Sequence, residues 1–136
     1  MSIRAKRLTF EVTVDRAGRA GAEGSPSLEL PPEWEAEHLL LAGLVRCSLT
    51  SLAYHARQTG GDAVGSGEAR GVITKRDSDG RYAFVEIEAR LDVEIEPAPE
   101  GAALAELLGN AERDCFIAAS LTTGPAYRWR VNGADV

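Results

Sequence analysis

The chain has 136 residues, 44% of them hydrophobic, and a formal net charge of −6. This length and composition predict a single globular domain, residues 1–136, with enough apolar side chains for a core. The negative charge argues against a nucleic-acid partner, because phosphate recognition needs a basic surface.

Targeting and membrane signals are weak in this sequence. Met1 to Arg7 is basic, but no apolar stretch follows it, so we expect no secretory signal. The apolar run from Leu39 to Val45 ends at Arg46, far short of the roughly 20 residues of a membrane span. We therefore expect a cytoplasmic protein with no membrane partner. Its two cysteines would then lie in a reducing compartment.

Metal and cofactor binding are not expected. The two cysteines and two histidines show no ligand spacing such as CxxC or HxxxH. We therefore predict no metal ion and no other cofactor.

The first elements are predicted to form an N-terminal hairpin. Apolar and polar residues alternate from Leu8 to Val14, which is the period of a half-buried strand. Residues 16–24 contain three glycines and indicate a loop. Residues 27–30 could form a short return strand, ended by two prolines.

A long helix is predicted next, from about Glu35 to Thr59. The segment is rich in Ala and Leu, lacks proline and stops at Gly60-Gly61. Its apolar side chains are spread nearly around its circumference, so the helix must be buried on most sides. One small sheet covers only one side, and a second copy of the chain is the simplest cover for the rest.

The second half predicts two strands, a helix and a final strand. Apolar and charged residues alternate from Val85 to Ile95, and residues 69–76 are the expected partner strand across a turn at 77–80. An apolar stripe from Leu104 to Cys115 predicts a second helix, and residues 127–131 predict a last strand. The order ββ-α-ββ-α-β indicates an α+β fold with a mainly antiparallel sheet.

The two cysteines are the candidate reactive groups. Cys47 lies within the long helix and Cys115 ends the apolar stripe of the second, so both thiols are expected to point into the core and could meet. A buried, reduced cysteine is commonly a packing residue. Arg46, however, is a charge in a segment otherwise suited to burial, and a buried charge needs a partner or a purpose. If the protein is an enzyme, its chemistry should depend on these two thiols.

Residues 32–47, PEWEAEHLLLAGLVRC, resemble the core motif of the OsmC/Ohr family (osmotically inducible protein C and organic hydroperoxide resistance proteins). In that family a glutamate precedes the pattern x-L-h-A-A/G, with h hydrophobic, and the reactive cysteine follows ten residues after the glutamate. Glu37 and Cys47 keep this spacing. The order of elements and the late second cysteine also agree. The resemblance implies an OsmC-like fold, with a mainly antiparallel sheet around a long buried central helix, in an intertwined homodimer.

The resemblance assigns a role to each thiol. Cys47 matches the peroxidatic cysteine and Cys115 the resolving cysteine. After Cys115 the family commonly has proline and a Ser/Asn-containing run, whereas this chain has Phe116 to Ser120. The neighbouring Asp114 should raise the pKa of the Cys115 thiol through like-charge repulsion.

The resemblance also implies an arginine and a glutamate at the site. Arg16-Ala17-Gly18-Arg19 is similar to the family's R-x-G-R loop and places Arg16 in that role, with Arg19 and Arg46 as alternatives. A buried thiol is mostly protonated near neutral pH, and a guanidinium held by a carboxylate would favour its thiolate. Glu37 matches that carboxylate, with Glu33 and Glu35 as nearby competitors.

A straight helix would keep Glu37 and Cys47 apart. Ten residues span about 15 Å of helix, at 1.5 Å per residue. Either the helix breaks between them, with Gly43 as the weak point, or one of the two residues comes from a second chain.

The implied activity is a two-cysteine thiol peroxidase, an antioxidant of the oxidative stress response. It would reduce organic hydroperoxides in preference to hydrogen peroxide through a Cys47 sulfenic acid and a Cys47–Cys115 disulfide, which a dithiol of lipoyl or other type would reduce. One alternative is a catalytically inert OsmC-like protein that binds a small apolar molecule. Another is acyl transfer from Cys47, with His38 or His55 as the base.

Overall fold

The computed structural model describes residues 5–136, so the first four residues of the basic N-terminal segment lie outside the described residues. The described part of the chain has ten elements. They are β1 (Thr13–Val14), β2 (Arg19–Gly21), β3 (Leu28–Glu29), α1 (Ala36–Gln58), β4 (Asp62–Lys75), β5 (Tyr82–Glu96), α2 (Gly101–Arg113), α3 (Phe116–Ser120), β6 (Ala126–Val131) and β7 (Ala134–Asp135). The predicted α+β class, with antiparallel sheets and a long helix, is confirmed.

The chain divides into two compact units, one ending at Ala36 and one beginning at Glu37. The first unit is a small antiparallel sheet in the order β1-β2-β3. Here the strand prediction for Leu8 to Val14 was too long, since only Thr13 and Val14 pair. The predicted loop at 16–24 was also wrong in part, because Arg19–Gly21 forms the middle strand. A turn at Asp15–Gly18, closed by backbone and Asp15 side-chain bonds, reverses the chain earlier than expected.

The second unit contains a sheet in the order β4-β5-β6-β7. β4 and β5 form a long antiparallel hairpin through the predicted turn, and β4 starts at Asp62, earlier than its sequence pattern indicated. β5 buries alternate residues, as predicted: Ile87, Ala89, Leu91, Val93 and Ile95. The last long strand, β6, pairs with β5 in parallel, because α2 and α3 carry the chain back across the sheet.

Helix α1 begins at Ala36 and ends at Gln58, close to the predicted bounds. Gly60, with a φ of 82°, allows the chain to reverse so that the Gly61 N–H bonds the Ala56 carbonyl. The buried residues of α1 form one stripe: Leu44, Ser48, Ser51, Leu52 and Ala56. Within the described residues, α1 is the one helix long and apolar enough to cross a membrane by length and composition alone.

The second helix ends two residues before Cys115, earlier than its apolar stripe predicted. α2 stops at Arg113 and α3 starts at Phe116, with Cys115 in extended backbone between them. This break decides how Cys115 meets α1.

Candidate functional site

The two cysteines meet where α1 passes the start of α3. Cys115 is fully buried, Cys47 is half-buried, and both are reduced. Their side chains approach to 3.4 Å. The structure therefore brings together the two thiols that the sequence singled out.

The break between α2 and α3 creates hydrogen-bond donors for both sulfur atoms. Backbone N–H groups in the first turn of a helix have no partner within that helix. In α3, the N–H groups of Ile117 and Phe116 donate to Cys47, and the N–H of Ala118 donates to Cys115. Both thiols are thus oriented by the same short turn of backbone.

Apolar side chains surround the sulfur pair. Leu44, Ile87 and Ala89 are buried beside Cys115. Partly buried residues pack around them: Leu41, Cys47, Phe84, Ile117, Ala118, Leu121 and Tyr127. We call these residues together the cysteine cluster. Gly71 on β4 makes room for the Phe84 ring, since a Cβ there would collide with it.

Two hydroxyl groups reach into the cysteine cluster. Ser48, fully buried, donates to the Cys115 sulfur at 3.5 Å, and its Oγ lies 2.9 Å from the Tyr127 hydroxyl. The Tyr127 ring stacks on Trp129, whose indole N–H donates to Glu112 of α2. Sequence reasoning missed both hydroxyls. The available signals were a serine in the apolar face of α1 and a tyrosine in the apolar register of β6.

The two thiols differ in acidity. Burial raises the pKa of the Cys47 thiol, the N–H of Ile117 offsets part of this, and the neighbouring Cys115 raises it further. Burial also opposes ionisation of Cys115. For that thiol, hydrogen bonds from the N–H of Ala118, from Ser48 and from Cys47 outweigh burial and lower the pKa. Cys115 is therefore the more acidic thiol of the pair within one chain.

The pKa of Cys115 is lowered although Asp114, a negative neighbour, was expected to raise it. The Asp114 carboxylate accepts hydrogen bonds from Arg113 at 3.0 Å and lies 2.8 Å from His55 Nε2. These two partners hold the pKa of Asp114 below its usual range, with Arg113 making the larger contribution. A carboxylate paired in this way and facing solvent repels a buried thiolate weakly.

All three candidate arginines are exposed. Arg16 is exposed in the turn between β1 and β2, and Arg19 is exposed on β2, 3.1 Å from Glu29. Arg46 is exposed on α1, so the interpretation of Arg46 as a buried charge was wrong.

Glu37 is exposed in the first turn of α1. The helix continues without a break through Gly43, so the suggested break at that residue is wrong. Along an unbroken helix, Glu37 and Cys47 stay about 15 Å apart. Glu37 instead lines a cavity of about 300 Å³ together with Phe84, Leu121 and five other residues.

Metal ligands do not cluster in the described part of the chain. Across residues 5–136, no three His, Cys, Asp or Glu side chains are grouped so that they could hold an ion. The chemistry that the site itself offers is that of two adjacent thiols with hydroxyl and N–H donors.

A family model described as OsmC-like protein matches residues 29–130. No curated protein matches the chain in a sequence comparison. Among solved structures, the chain resembles the organic hydroperoxide resistance protein OhrB of Bacillus subtilis, with 20% identity and a TM-score of 0.58 over 92% of this chain and 98% of that one.

Two further solved structures share the fold. An OsmC-like protein of unknown function from Vibrio cholerae has 16% identity and a TM-score of 0.71 over 92% of this chain and 99% of that one. An organic hydroperoxide resistance protein from Legionella pneumophila has 16% identity and a TM-score of 0.57 over 93% and 98% of the two chains. At these identities the likeness establishes the fold alone.

The short distance between the thiols predicts ready formation of an intramolecular disulfide. An S–S bond is about 2.05 Å long, so the two side chains need only a small shift from 3.4 Å. Treatment with diamide, a thiol oxidant, should remove two hydrogen atoms from the intact mass, and peptide mapping should show Cys47 joined to Cys115. The Cys115→Ser variant should lose this product. Disulfides only between chains, seen by non-reducing electrophoresis, would contradict the geometry.

Proposed function

The chain belongs to the OsmC-like protein family, and we propose that it is a thiol-dependent peroxidase that reduces organic hydroperoxides. The observation that carries this proposal is the approach of Cys47 and Cys115 to 3.4 Å inside an apolar cluster. Two thiols at this distance can exchange between a dithiol and a disulfide without rearrangement of the fold.

The proposed cycle has three balanced steps. The Cys47 thiolate attacks the O–O bond of the hydroperoxide, becomes a sulfenic acid and, with one proton, releases an alcohol. Cys115 then attacks the sulfenic sulfur, and water leaves as the Cys47–Cys115 disulfide forms. An external dithiol, of lipoyl or other type, reduces this disulfide and is itself oxidised to a disulfide.

Cys47 is the better candidate for the first step because of access. Cys47 is half-buried, whereas Cys115 has no exposed surface. A peroxide can therefore reach the Cys47 sulfur first.

The substrate class follows from what surrounds the thiols. The cavity beside Glu37 shares Phe84, Ile87 and Leu121 with the cysteine cluster. Apolar side chains would bury the organic part of an alkyl or aryl hydroperoxide, which gives it an advantage over hydrogen peroxide.

The proposed mechanism also requires a positive charge near Cys47 that favours its thiolate. Burial raises the pKa of this thiol, yet a peroxidatic cysteine must react as a thiolate. We assign the charge to Arg16, since a guanidinium stays protonated and can pair with a carboxylate in a bidentate manner. Arg19 and Arg46 remain the alternatives, and Glu37 is the proposed carboxylate.

A second copy of the chain would complete this site. The straight course of α1 keeps Glu37 away from Cys47 of the same chain, so we propose that the site takes residues from two chains of an intertwined homodimer. Two sets of exposed residues support the proposed dimer. α1 buries only five of its 23 residues, and Leu8, Phe10, Val12 and Val14 are 60–84% exposed. Apolar surface of this extent in a soluble protein indicates an interface.

The proposed compartment is the cytoplasm. OsmC-like proteins are soluble, so we interpret α1 as a core helix.

An inert binding protein is the second candidate, and the raised pKa of Cys47 favours it, because a protonated thiol reacts slowly with peroxide. In the acyl-transfer alternative, His55 would be the base, but its Nε2 is engaged by Asp114.

Treatment with one equivalent of cumene hydroperoxide distinguishes the peroxidase from the binding protein. Loss of two hydrogen atoms from the intact mass supports the peroxidase, and an unchanged mass supports the binding protein.

Substitution of each cysteine should separate the first two steps. Cys47→Ser should abolish peroxide consumption with a dithiol donor. Cys115→Ser should consume about one equivalent per chain and stop as a sulfenic acid that over-oxidises, because no second thiol resolves it. Peroxide consumption and intact mass report both results. Normal turnover by Cys115→Ser would remove the resolving role, and activity in Cys47→Ser would overturn the mechanism.

Removal of Arg16 should raise the pKa of Cys47. The positive charge favours the thiolate, so Arg16→Ala should slow alkylation of Cys47 by iodoacetamide at pH 7 by about tenfold or more. The rate should recover as the pH rises and the thiolate forms unaided. The Cys115→Ser background makes Cys47 the sole thiol, and Arg19→Ala is the matched control. An unchanged pH profile in Arg16→Ala would exclude Arg16, and a shift in Arg19→Ala would transfer the role to that residue.

Light scattering should detect the dimer. The chain has a mass of 14.5 kDa, so a particle of about 29 kDa is expected at micromolar concentration. A well-folded monomer at that concentration would contradict the shared site. The cysteine variants would still test the chemistry in that case.

A further inference from the structure

Cys115 is the only fully buried thiol of the pair, and it has an unusual set of donors. Ser48 Oγ donates to its sulfur at 3.5 Å, and the Tyr127 hydroxyl lies 2.9 Å from that oxygen. Because the Ser48 proton points to sulfur, the Ser48 oxygen is free to accept the Tyr127 proton. The hydroxyls thus form a chain, Tyr127 to Ser48 to Cys115, in which each proton is directed toward the sulfur.

Such a chain is well suited to a thiolate. A neutral thiol is a weak acceptor, whereas an anionic sulfur accepts strong hydrogen bonds. In a cluster that excludes water, these donors replace the solvation that a buried anion loses. The lowered pKa of Cys115 agrees with this arrangement.

We propose that Ser48 and Tyr127 are positioning residues that stabilise the Cys115 thiolate as it forms and so make Cys115 the leaving group when the disulfide is reduced. The inference rests on the proposed function, because it concerns the Cys47–Cys115 disulfide of that cycle. It specifies which sulfur is attacked when the external dithiol reduces the disulfide. The reducing thiolate attacks the Cys47 sulfur, the S–S bond breaks, and the electron pair goes to Cys115. A mixed disulfide on Cys47 remains, and the second thiol of the dithiol then resolves it.

Two independent features determine this direction. A thiol of lower pKa leaves faster from a disulfide, and the hydroxyl chain stabilises Cys115. Solvent access also favours attack on Cys47, since Cys47 is half-buried and Cys115 has no exposed surface. An incoming thiol therefore reaches the Cys47 sulfur first, and Cys115, the better leaving group, is the thiolate that departs.

Outside the hydroxyl chain, Cys47 is the titratable group that favours the Cys115 thiolate, through a side-chain hydrogen bond. Cys47 faces it from α1, and Asp114 adjoins it but is paired with Arg113 and His55. Glu112 accepts a hydrogen bond from the Trp129 indole and faces the β6 side of the site. Both carboxylates are negative, so their charge opposes the thiolate. The hydroxyl, N–H and Cys47 thiol donors are therefore the groups that stabilise the thiolate.

Thiol titration tests the stabilisation without any peroxide. In Cys47→Ser, Cys115 is the sole thiol, and the ultraviolet absorbance of its thiolate reports ionisation directly. Ser48→Ala and Tyr127→Phe in that background should each reduce the thiolate population at a fixed pH by about tenfold, as expected for loss of a hydrogen bond to a charged group. Tyr127→Phe keeps the ring stacked on Trp129 and removes only the hydroxyl.

Ser51→Ala is the matched control. Ser51 lies on the same buried stripe of α1, but its hydroxyl donates to the Ala111 carbonyl. A purely structural role for buried serines would give the same response in Ser48→Ala and Ser51→Ala. We expect the titration of Cys115 to be unchanged in Ser51→Ala. Unchanged titration in both Ser48→Ala and Tyr127→Phe would overturn the proposal.

The site of attack is mapped in the unsubstituted protein. Diamide makes the disulfide, glutathione is added briefly, acid stops the exchange, and peptide mapping locates the adduct. We expect the adduct on Cys47. An adduct on Cys115 would overturn the assigned direction. Since neither measurement uses a hydroperoxide, a protein without peroxidase activity could still show both results, and an active peroxidase could still fail them.

Discussion

The site depends on one packing contact, the approach of the Cys47–Ser48 turn of α1 to the chain break before α3. If α2 continued through Cys115, the N–H groups of residues 116–118 would be consumed in helix. Because α2 stops at Arg113, these N–H groups are directed to the two sulfurs. The same break buries Cys115 against β5 and places it within reach of the Ser48 hydroxyl. Geometry and acidity of the thiol pair both follow from it.

Burial disfavours the thiolate of both cysteines, but the compensating groups differ. The interior disfavours any thiolate, and only donors or a positive charge can compensate. Cys115 has sufficient donors within its own chain, whereas burial dominates at Cys47. The proposed arginine would act only on Cys47. The chain by itself therefore stabilises the thiolate of Cys115, the proposed resolving cysteine, and the proposed dimer would stabilise that of Cys47, the proposed peroxidatic one.

This difference between the two thiols gives the proposed dimer a role in the chemistry of Cys47. A second chain would cover the exposed apolar surface of helix α1, and the proposed role of Cys47 requires a cation and a carboxylate that the unbroken helix does not supply. In the proposed dimer, one interface would both cover the apolar surface and supply the charged groups. Assembly and reactivity would then be linked, because a separated chain would keep Cys47 protonated.

Sequence periodicity determined the elements of this protein, since the pattern of burial is local along a strand or helix. The alternation in β5, the extent of α1 and the candidate status of both cysteines could all be predicted, and a motif of ten-residue spacing indicated the family. Tertiary structure decided what depends on neighbours distant in sequence. The parallel pairing of β6 with β5 is one case. The hydroxyls of Ser48 and Tyr127 are another, because 79 residues separate them. The lowered pKa of Cys115 could not be predicted, since the adjacent Asp114 is visible in sequence whereas its ion pairs and the donors around the sulfur exist only in the folded chain.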